Sequence, residues 1–378
     1  MEQRIISARN NYFELDQWIR EHETRRILLV CDHSIRFLKE FNTHLEELKK
    51  SGTELIEFHD FQPNPLFENV QAGVKRFREE QCNAIIAVGG GSAMDVAKCI
   101  KLFAPFEGNG EDGNWLKVKP EHIPNNIPFL AMPTTAGTGS EATRYAVIYY
   151  KGTKQSVTSE SIIPSTVLLD PNCLKTLPLY QKKATAMDAL CHAIESFWSV
   201  NSTEESKQYS RKAIELVTMH LDGYLSNTEK GNAGMLLAAN IAGKAINISQ
   251  TTAGHAMCYK ITSLFNVAHG HATILCDRVL FPWMVEHTDM CIDPRGEKYL
   301  QDTLEEIAAA MECENANASA KKLDMIFESL NLEIPMATEE QFEQLKISVN
   351  PTRLKNHPVA LNPVIIDKLY HKILNGAE

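Results

Sequence analysis

The sequence predicts an α/β protein in which a domain with a mainly parallel sheet precedes an all-helical domain. In the first half of the 378-residue chain, short apolar strand signals alternate with amphipathic helical segments. This alternation is typical of a parallel sheet with helices on both faces. After Leu177-Pro178 the strand signals end and long segments of helical periodicity follow. A chain of this length suggests two domains, which we place at residues 1–177 and 178–378.

The first domain contains five predicted strands, most of them apolar runs that end at polar or glycine-rich residues. The predicted strands are 25–32, 54–58, 84–88, 129–132 and 165–170, and the predicted helices between them are 34–50, 66–81 and 93–103. The second domain contains predicted helices only. These helices are 183–198, 204–224, 234–248, 253–265, 272–286, 297–311, 318–330 and 364–374.

The composition limits the class of function. The net charge is -10 and the isoelectric point is about 5.8, which argues against a nucleic-acid partner because binding phosphates needs a basic face. No apolar run is long enough to span a bilayer and no signal-peptide pattern opens the chain, so we expect no membrane partner. The nine cysteines are scattered without a Cys-x-x-Cys pair, which predicts a reducing, cytoplasmic location.

A glycine-rich turn follows the strand 84–88 and opens the next helix. It consists of Gly89, Gly90, Gly91 and Ser92, with Asp95 one turn later. Glycines at such a turn let a phosphate approach the backbone, and the free N–H groups of the helix start attract its charge. Ser92 and Asp95 also have the spacing of a capping box, so the alternative is that the motif simply begins a helix.

A second candidate loop follows the strand 129–132 and contains Thr134, Thr135 and Thr138 between glycines. In a parallel sheet, loops at the carboxyl ends of the strands line the ligand crevice. Its hydroxyls suit contacts to phosphate and ribose. The alternative is a helix N-cap with a tight turn.

An acidic residue, Asp32, ends the first predicted strand. An acid at this position binds a ribose hydroxyl pair and repels a 2′-phosphate. The alternative is an aspartate that opens a turn toward Ser34.

A candidate metal site involves both a predicted helix and the histidine-rich segment 251–271. Asp188 and His192 are four residues apart and therefore lie on one helix face. His255 and His269 could supply two further ligands. Three imidazoles and one carboxylate suit Fe(II) or Zn(II). The alternatives are histidines packed in the core and an aspartate near a helix start.

Together these motifs resemble the iron-containing (group III) alcohol dehydrogenase family over nearly the whole chain. The resemblance rests on segments 89–98, 133–141 and 188–195, on His255 and on His269-Gly270, in this order and spacing. It implies a Rossmann-like dinucleotide-binding domain, an all-helical metal domain of the dehydroquinate synthase-like type, and a cleft between them. It also implies hydride transfer between NAD(H) and a small alcohol or aldehyde at Fe(II) or Zn(II).

The resemblance assigns roles to individual residues. It implies that the metal ligands are Asp188, His192, His255 and His269. It implies that the cofactor is bound by Asp32, which matches an acid associated with NAD preference, by Gly89, Gly90, Gly91, Ser92, Asp95, Thr134, Thr135 and Thr138, and by Lys154, which matches a cofactor-contacting lysine.

The sequence departs from the family pattern at one position. Many members carry a second histidine four residues after the third ligand, where it is thought to relay the proton, but this chain has Tyr259. A tyrosine with an ordinary pKa near 10 is a poorer relay at neutral pH. Tyr259 and His271 are therefore both candidate catalytic residues, and ribose hydroxyls or water could substitute.

Segments 251–263, 269–272 and 350–356 resemble the hydroxyethylphosphonate dehydrogenase (phosphonoacetaldehyde reductase) branch of the family. The expected reaction is reduction of phosphonoacetaldehyde to 2-hydroxyethylphosphonate by a homodimer. Because the substrate is anionic and the protein acidic, local cations are needed, and the candidates are Lys260, Arg144 and Arg353.

Three other functions stay open at this point. The first is reduction of a neutral aldehyde or diol of the lactaldehyde or propanediol type. The second is a lyase of the dehydroquinate-synthase kind, which would carry glutamate in place of Asp188. The third is a non-catalytic dinucleotide- or metal-binding protein, against which the complete set of four ligands argues.

Overall fold

The computed structural model describes residues 3–118 and 123–375, with Thr352 described by its backbone alone. Two compact units are present. The first, here called the sheet unit, comprises Met1–Thr135 and Gly139–Leu177, and the second, the helical unit, comprises Ala136–Thr138 and Pro178–Glu378. The predicted domain ranges also contain residues 1–2, 119–122 and 376–378, which lie outside the described residues.

The sheet unit is built on a six-stranded sheet. The strands of the unit are β1 (Arg4–Ser7), β2 (Arg26–Cys31), β3 (Glu54–Phe58), β4 (Ala84–Gly89), β5 (Phe129–Pro133), β6 (Tyr145–Tyr150), β7 (Thr153–Thr158) and β8 (Thr166–Leu169). The sheet order is β1-β8-β5-β4-β2-β3 and every pair in it is parallel, whereas β6 and β7 form a separate antiparallel pair. The parallel sheet predicted from the apolar strand signals is therefore confirmed.

Both faces of this sheet are buried, because successive residues of a strand point to opposite sides. Leu28 and Val30 of β2 join one hydrophobic cluster, and Ile27 and Leu29 join the other. The helices of the unit are α1 (Arg9–Glu21), α2 (Lys39–Lys50), α3 (Phe67–Glu79) and α4 (Gly91–Phe103). The first cluster contains residues of α3 and α4, and the second contains residues of α1 and α2.

Some elements of the sheet unit differ from the prediction. The single helix predicted over 34–50 is wrong, because a 3-10 helix (His33–Phe37) precedes α2 and Leu38 between them has a non-helical backbone (φ -87°, ψ 69°). The elements β1, α1, β6 and β7 were not predicted. In β7 the sequence is mostly polar, so it gives little strand signal until it pairs with β6.

The described part of the helical unit contains helices and no strand, as predicted. The helices are α5 (Leu179–Trp198), α6 (Glu204–Leu225), α7 (Glu229–Ser249), α8 (Ala253–Phe265), α9 (His269–Glu286), α10 (Glu297–Ala310), α11 (Ala316–Ser329), α12 (Glu339–Ser348), α13 (Pro351–Leu354) and α14 (Pro363–Asn375). Only α12 and α13 were not predicted. Every residue of 186–198 in α5 is buried, which is typical of a helix at the centre of a bundle.

The described helices do not meet the requirement for a membrane span. Over residues 3–118 and 123–375, none combines sufficient length with sufficient apolar character to cross a bilayer.

Candidate metal centre and dinucleotide-binding loops

Three of the four predicted metal ligands converge in the helical unit. Asp188 comes from α5, His255 from the first turn of α8, and His269 is the first residue of α9. One ligand atom from each lies within 4.8 Å of the others. Asp188 Oδ1 is 3.7 Å from His255 Nε2 and 4.0 Å from His269 Nε2. Two atoms that each lie about 2.0–2.2 Å from one ion are separated by roughly this distance.

Two polar atoms of this cluster lack the partners that buried groups normally have. Asp188 Oδ1 and His255 Nε2 are buried, and neither has a hydrogen-bond partner among the described residues. Leaving such atoms unsatisfied costs about 1–3 kcal/mol each. The donor set of one carboxylate oxygen and imidazole nitrogens therefore fits a divalent ion of the Fe(II) or Zn(II) type.

The fourth predicted ligand, His192, lies beside this group rather than within it. It is buried on α5, and its ring stacks on that of His255 with a centroid distance of 4.4 Å. Its Nδ1 atom is a further buried nitrogen for which the described residues provide no hydrogen-bond partner. Asp188 and His192 do share one face of α5, as their spacing predicted.

The electrostatics of the cluster hold Asp188 and His192 in the protonation states that a metal needs, whereas His255 attracts a proton. Burial raises the pKa of Asp188, but the three neighbouring imidazoles outweigh it and hold the carboxyl well below its usual range. Burial lowers the pKa of His192 to about 4. Burial also lowers the pKa of His255, but Glu195 and Asp188 overcome it and raise the value to about 10. An ion would replace the proton that these two carboxylates attract.

A second carboxylate contacts the candidate ligand His255, on the side of its ring that is turned away from Asp188. Glu195 of α5 is fully buried and accepts hydrogen bonds from the backbone N–H and the Nδ1 atom of His255. Glu195 was not among the site residues predicted from the sequence. One signal in the sequence could have identified Glu195, which is its position seven residues after Asp188. Seven residues are about two helical turns, so both side chains lie on one face of the helix.

Tyr259 and Arg353 form a pair next to His269. The Tyr259 ring stacks on the His269 ring with a centroid distance of 5.4 Å. Arg353 Nη1 donates to the Tyr259 hydroxyl at 2.6 Å, and its Cζ lies 4.9 Å from the ring centroid. Burial raises the pKa of Tyr259 to about 12, although Arg353 opposes the shift. The phenol therefore keeps its proton at neutral pH.

His271 uses both of its ring nitrogens in contacts that shape the start of α9. The carbonyl of Glu333 can only accept, so the contact at 2.8 Å places a proton on His271 Nε2. Nδ1 then accepts from the Tyr180 hydroxyl at 3.1 Å, and that hydroxyl accepts from the backbone N–H of Ala268. This geometry favours a role in positioning His269 over the proton relay proposed from the sequence.

In the sheet unit, the glycine-rich turn lies at the carboxyl end of β4. Gly89 has φ +154°, and a Cβ atom there would stand 2.7 Å from Ala93 Cβ and 2.8 Å from Asp32 Oδ2. Only glycine, which has no Cβ atom, fits so close to Ala93 and Asp32. Gly90 is the N-cap of α4 and Gly91 its first residue, with no side-chain cap. The first N–H groups of α4 are thus available to an anion.

Ser92 and Asp95 do not show a capping box in α4. Asp95 instead accepts hydrogen bonds from the Ser140 hydroxyl at 3.0 Å and the Val147 backbone N–H at 3.1 Å. Both of its carboxylate oxygens are therefore used, one to attach α4 to the segment before β6 and the other to attach it to β6 itself. This contact gives Asp95 a structural role beside the cofactor role that the resemblance implied.

The two candidate loops lie side by side because β4 and β5 are neighbours in the sheet. The Thr134 N–H donates to the Gly89 carbonyl at 3.0 Å, and the Thr135 side chain lies 3.5 Å from the position of a Cβ on Gly90. Thr138 belongs to the short segment that clusters with the helical unit.

Asp32 opens a turn, as one alternative predicted, and it also lies beside the glycine-rich loop. Its Oδ1 atom accepts from the Ser34 N–H at 2.8 Å and caps the 3-10 helix, while Oδ2 faces Gly89. Asp32 therefore opens a turn and also presents a carboxylate oxygen to the glycine-rich loop.

The remaining predicted residues have the following positions. Lys154 lies in β7 opposite Tyr149 of β6. Arg144 forms an ion pair with Glu160 at 2.6 Å within the sheet unit. Lys260 follows Tyr259 on α8 and has neither an ion pair nor a side-chain hydrogen bond with the residues that the structure covers.

Comparison with known proteins agrees with this description. The sequence model of a family described as "Iron-containing alcohol dehydrogenase" matches residues 2–171, and that of its C-terminal domain matches residues 182–370. A 1,3-propanediol dehydrogenase of Citrobacter freundii is 32% identical over 70% of this chain and 68% of its own length. Alcohol dehydrogenase 4 of Saccharomyces cerevisiae (strain YJM789) is 28% identical over 84% of this chain and 82% of its own.

A solved structure shows the same fold. The sulfoacetaldehyde reductase of Bifidobacterium kashiwanohense, solved in complex with NAD+, superposes with a TM-score of 0.87 at 24% identity, over 99% of this chain and 98% of that one. The family matches cover both halves of the chain in the order that the sequence motifs predicted. The chain belongs to the iron-containing alcohol dehydrogenase family.

Proposed function

We propose that this protein is a metal- and NAD(H)-dependent alcohol dehydrogenase that works as an aldehyde reductase. The observation that carries the proposal is the cluster of Asp188, His255 and His269, whose ligand atoms all lie within 4.8 Å of one another. Two of these atoms, Asp188 Oδ1 and His255 Nε2, are buried without a hydrogen-bond partner among the described residues. His192, stacked on His255, supplies the fourth ligand in this proposal. A bound Fe(II) or Zn(II) polarises a carbonyl oxygen as a Lewis acid, and NAD(H) supplies the hydride.

The residues of the chain bind and orient the reactants. The uncapped start of α4 at Gly90 and Gly91 binds the pyrophosphate, and Asp32 binds the ribose hydroxyls beside Gly89. Thr134 and Thr135 border the same turn. Tyr259, protonated at neutral pH, holds a proton next to His269. We further propose a cytoplasmic homodimer, which light scattering of the purified protein tests for its subunit number.

For the substrate we propose phosphonoacetaldehyde, and Arg353 supports this choice. Within the described residues, its guanidinium makes one hydrogen bond, to Tyr259, and no ion pair. Arg353 contacts Tyr259, which in turn stacks on the candidate ligand His269. A guanidinium without a carboxylate partner in this position suits an anionic substrate, since its planar fork can bind two oxygens. Arg144 differs because Glu160 already neutralises it.

The second candidate is a neutral diol or its aldehyde. It is favoured by the 32% identity to a protein named 1,3-propanediol dehydrogenase. The two candidates differ in one physical respect, which is whether a substrate anion contacts Arg353.

A panel of aldehydes decides between them. Arg353→Ala should lower kcat/KM for phosphonoacetaldehyde about ten- to a hundredfold, since a desolvated charge-assisted contact contributes roughly 1.5–3 kcal/mol. Its effect on propionaldehyde should be less than about threefold. Arg144→Ala is the control, because it removes a cation that Glu160 already neutralises. Lys260→Ala tests the remaining candidate cation in the same way. Equal losses on both aldehydes would favour the neutral substrate.

The metal assignment has its own test. His255→Ala removes one candidate ligand and should reduce bound metal from one ion per chain to almost none, while the circular dichroism of the helices is retained. Metal content is measured by atomic emission after anaerobic reconstitution with Fe(II) or Zn(II). A variant that retains a full complement of metal would show that the cluster is not the site.

A further inference from the structure

Glu195 contacts His255, a ligand of the proposed metal site, on the side of the ring that faces away from Asp188. It faces Nδ1 of His255, whereas Asp188 faces Nε2 of the same ring at 3.7 Å. We propose that Glu195 is a positioning residue that fixes the tautomer and the orientation of His255 for metal binding. This inference rests on the proposed metal centre and adds a residue to it.

The hydrogen bonds around Glu195 determine what it can do. Oε1 accepts from the His255 backbone N–H at 3.0 Å and from His255 Nδ1. Oε2 accepts from the Thr252 backbone N–H at 2.5 Å and from the Thr252 hydroxyl at 2.6 Å. All four groups are donors, so the carboxylate acts as an acceptor at both oxygens. The proton of neutral His255 therefore stays on Nδ1, and Nε2 keeps the lone pair that a metal requires.

The carboxylate itself is held firmly. Glu195 has no exposed surface, and the Thr252 hydroxyl that donates to it accepts in turn from Trp198 Nε1 at 2.9 Å. Trp198 is also fully buried in α5. The orientation of the His255 ring is thus connected through two side chains to the centre of the helical unit.

The spacing along α5 explains why one helix can provide both functions. Asp188, His192 and Glu195 stand at positions i, i+4 and i+7, which lie on one helix face. The first contributes a carboxylate to the cluster and the last reaches the far side of His255. A single face of α5 therefore contains candidate ligands and the residue that orients another ligand.

Glu195→Gln preserves shape but breaks this arrangement. A glutamine amide has one acceptor oxygen and one donor nitrogen, whereas the four groups of His255 and Thr252 that bond to Glu195 are all donors. If the NH₂ group faces His255, the proton moves to Nε2 and blocks the metal. If it faces Thr252, two donors oppose each other and the side chain shifts. In either case we expect metal affinity to fall about ten- to a hundredfold.

The test uses the full-length chain loaded with Co(II), whose d–d absorption bands report on coordination geometry. Chelator competition gives the Co(II) dissociation constant of the parent, Glu195→Gln, Thr252→Val and Ser196→Ala. Ser196 is the matched control, because it is a buried residue next to Glu195 whose hydroxyl bonds to Ser249 instead. We expect a weakened site with altered d–d bands for Glu195→Gln, a smaller loss for Thr252→Val, and parental values for Ser196→Ala.

Each outcome has a defined meaning. Parental affinity and bands in folded Glu195→Gln would overturn the inference. If that variant does not fold, Thr252→Val decides: a several-fold weaker Co(II) affinity supports the positioning role, and an affinity equal to that of Ser196→Ala overturns it. Failure of the parent to bind Co(II) would instead contradict the proposed metal centre, so the two failures are distinguishable.

Discussion

At the scale of single residues, Asp32 caps a local element and is also the residue that we propose determines the choice of cofactor. Its Oδ1 caps the 3-10 helix through Ser34, and its Oδ2 is turned toward Gly89, where a side chain would collide with it. A negative charge beside the glycine-rich turn disfavours a second negative charge on the ribose. The proposed preference for NAD(H) depends on this one oxygen.

Asp32→Asn separates the two roles. The amide oxygen can still accept from the Ser34 N–H, but the charge is gone. We expect the ratio of kcat/KM with NADH to that with NADPH to fall at least about tenfold, corresponding to a repulsion of about 1.4 kcal/mol. Asp32→Ala, which loses both roles, shows how much of any change comes from the lost cap. A parent enzyme that already prefers NADPH would contradict this explanation.

At the scale of elements, the start of α8 is packed so closely that it requires glycine. A Cβ on Gly254 would lie 1.9 Å from Asp277 Oδ1 and 2.7 Å from Glu195 Oε1. Asp277 is buried, and burial together with Glu195 raises its pKa well above the usual range, so it packs as a neutral acid. The candidate ligand His255 follows Gly254 directly, and its position depends on the close packing at that glycine.

Gly254→Ala should therefore displace α8 from the two carboxyl groups. Overpacking of this kind costs about 1–3 kcal/mol in the free energy of unfolding, and we expect Co(II) affinity to fall as well. Ser263→Ala, at an exposed position of the same helix, should change the free energy of unfolding by less than about 0.5 kcal/mol. Urea unfolding and Co(II) titration of both variants provide the measurement. If Gly254→Ala changes neither the free energy of unfolding nor the Co(II) affinity, α8 can shift without loss of stability or metal binding.

The elements also show which parts of the fold could be predicted from the sequence. Continuous apolar runs identified β2, β4 and β5, and helical periodicity identified α5 to α11, because burial on a whole face leaves a repeat in the sequence. The break at Leu38 was not predictable, since that segment contains neither glycine nor proline and tertiary packing sets its backbone. The role of Glu195 was equally hidden, because its partner His255 lies 60 residues away in the chain.

At the scale of the whole molecule, the buried thiols determine how stability responds to alkaline pH. Burial raises the pKa of Cys31 to about 12 and that of Cys82 to about 11. Burial likewise raises the pKa of six further thiols, those of Cys99, Cys173, Cys191, Cys258, Cys276 and Cys291. Burial has the opposite effect on amines and lowers the pKa values of Lys98 and Lys101 to about 8 and that of Lys182 below its usual value.

The sign of each contribution follows from proton binding. Above about pH 9 the unfolded chain loses thiol protons that the folded chain keeps, so the thiols lower stability as pH rises toward 11 to 12. Between about pH 8 and 10.5 the unfolded chain keeps lysine protons that the folded chain loses, so the lysines raise stability. The thiols outnumber the lysines, and their effect therefore dominates above about pH 9.

We expect the urea midpoint of the reduced, metal-free chain to fall between pH 9 and 10.5. Each thiol contributes a slope of up to about 1.4 kcal/mol per pH unit to the free energy of unfolding. Cys31→Ala should reduce this slope, because it removes a thiol that stays protonated only in the folded sheet unit. Ile86→Val is the control: it removes one buried methyl group from the same sheet and lowers stability at every pH without changing the slope. A midpoint that rises steadily through pH 10.5 would mean that the lysines dominate, and the burial of the thiols would then not govern the alkaline stability of the molecule.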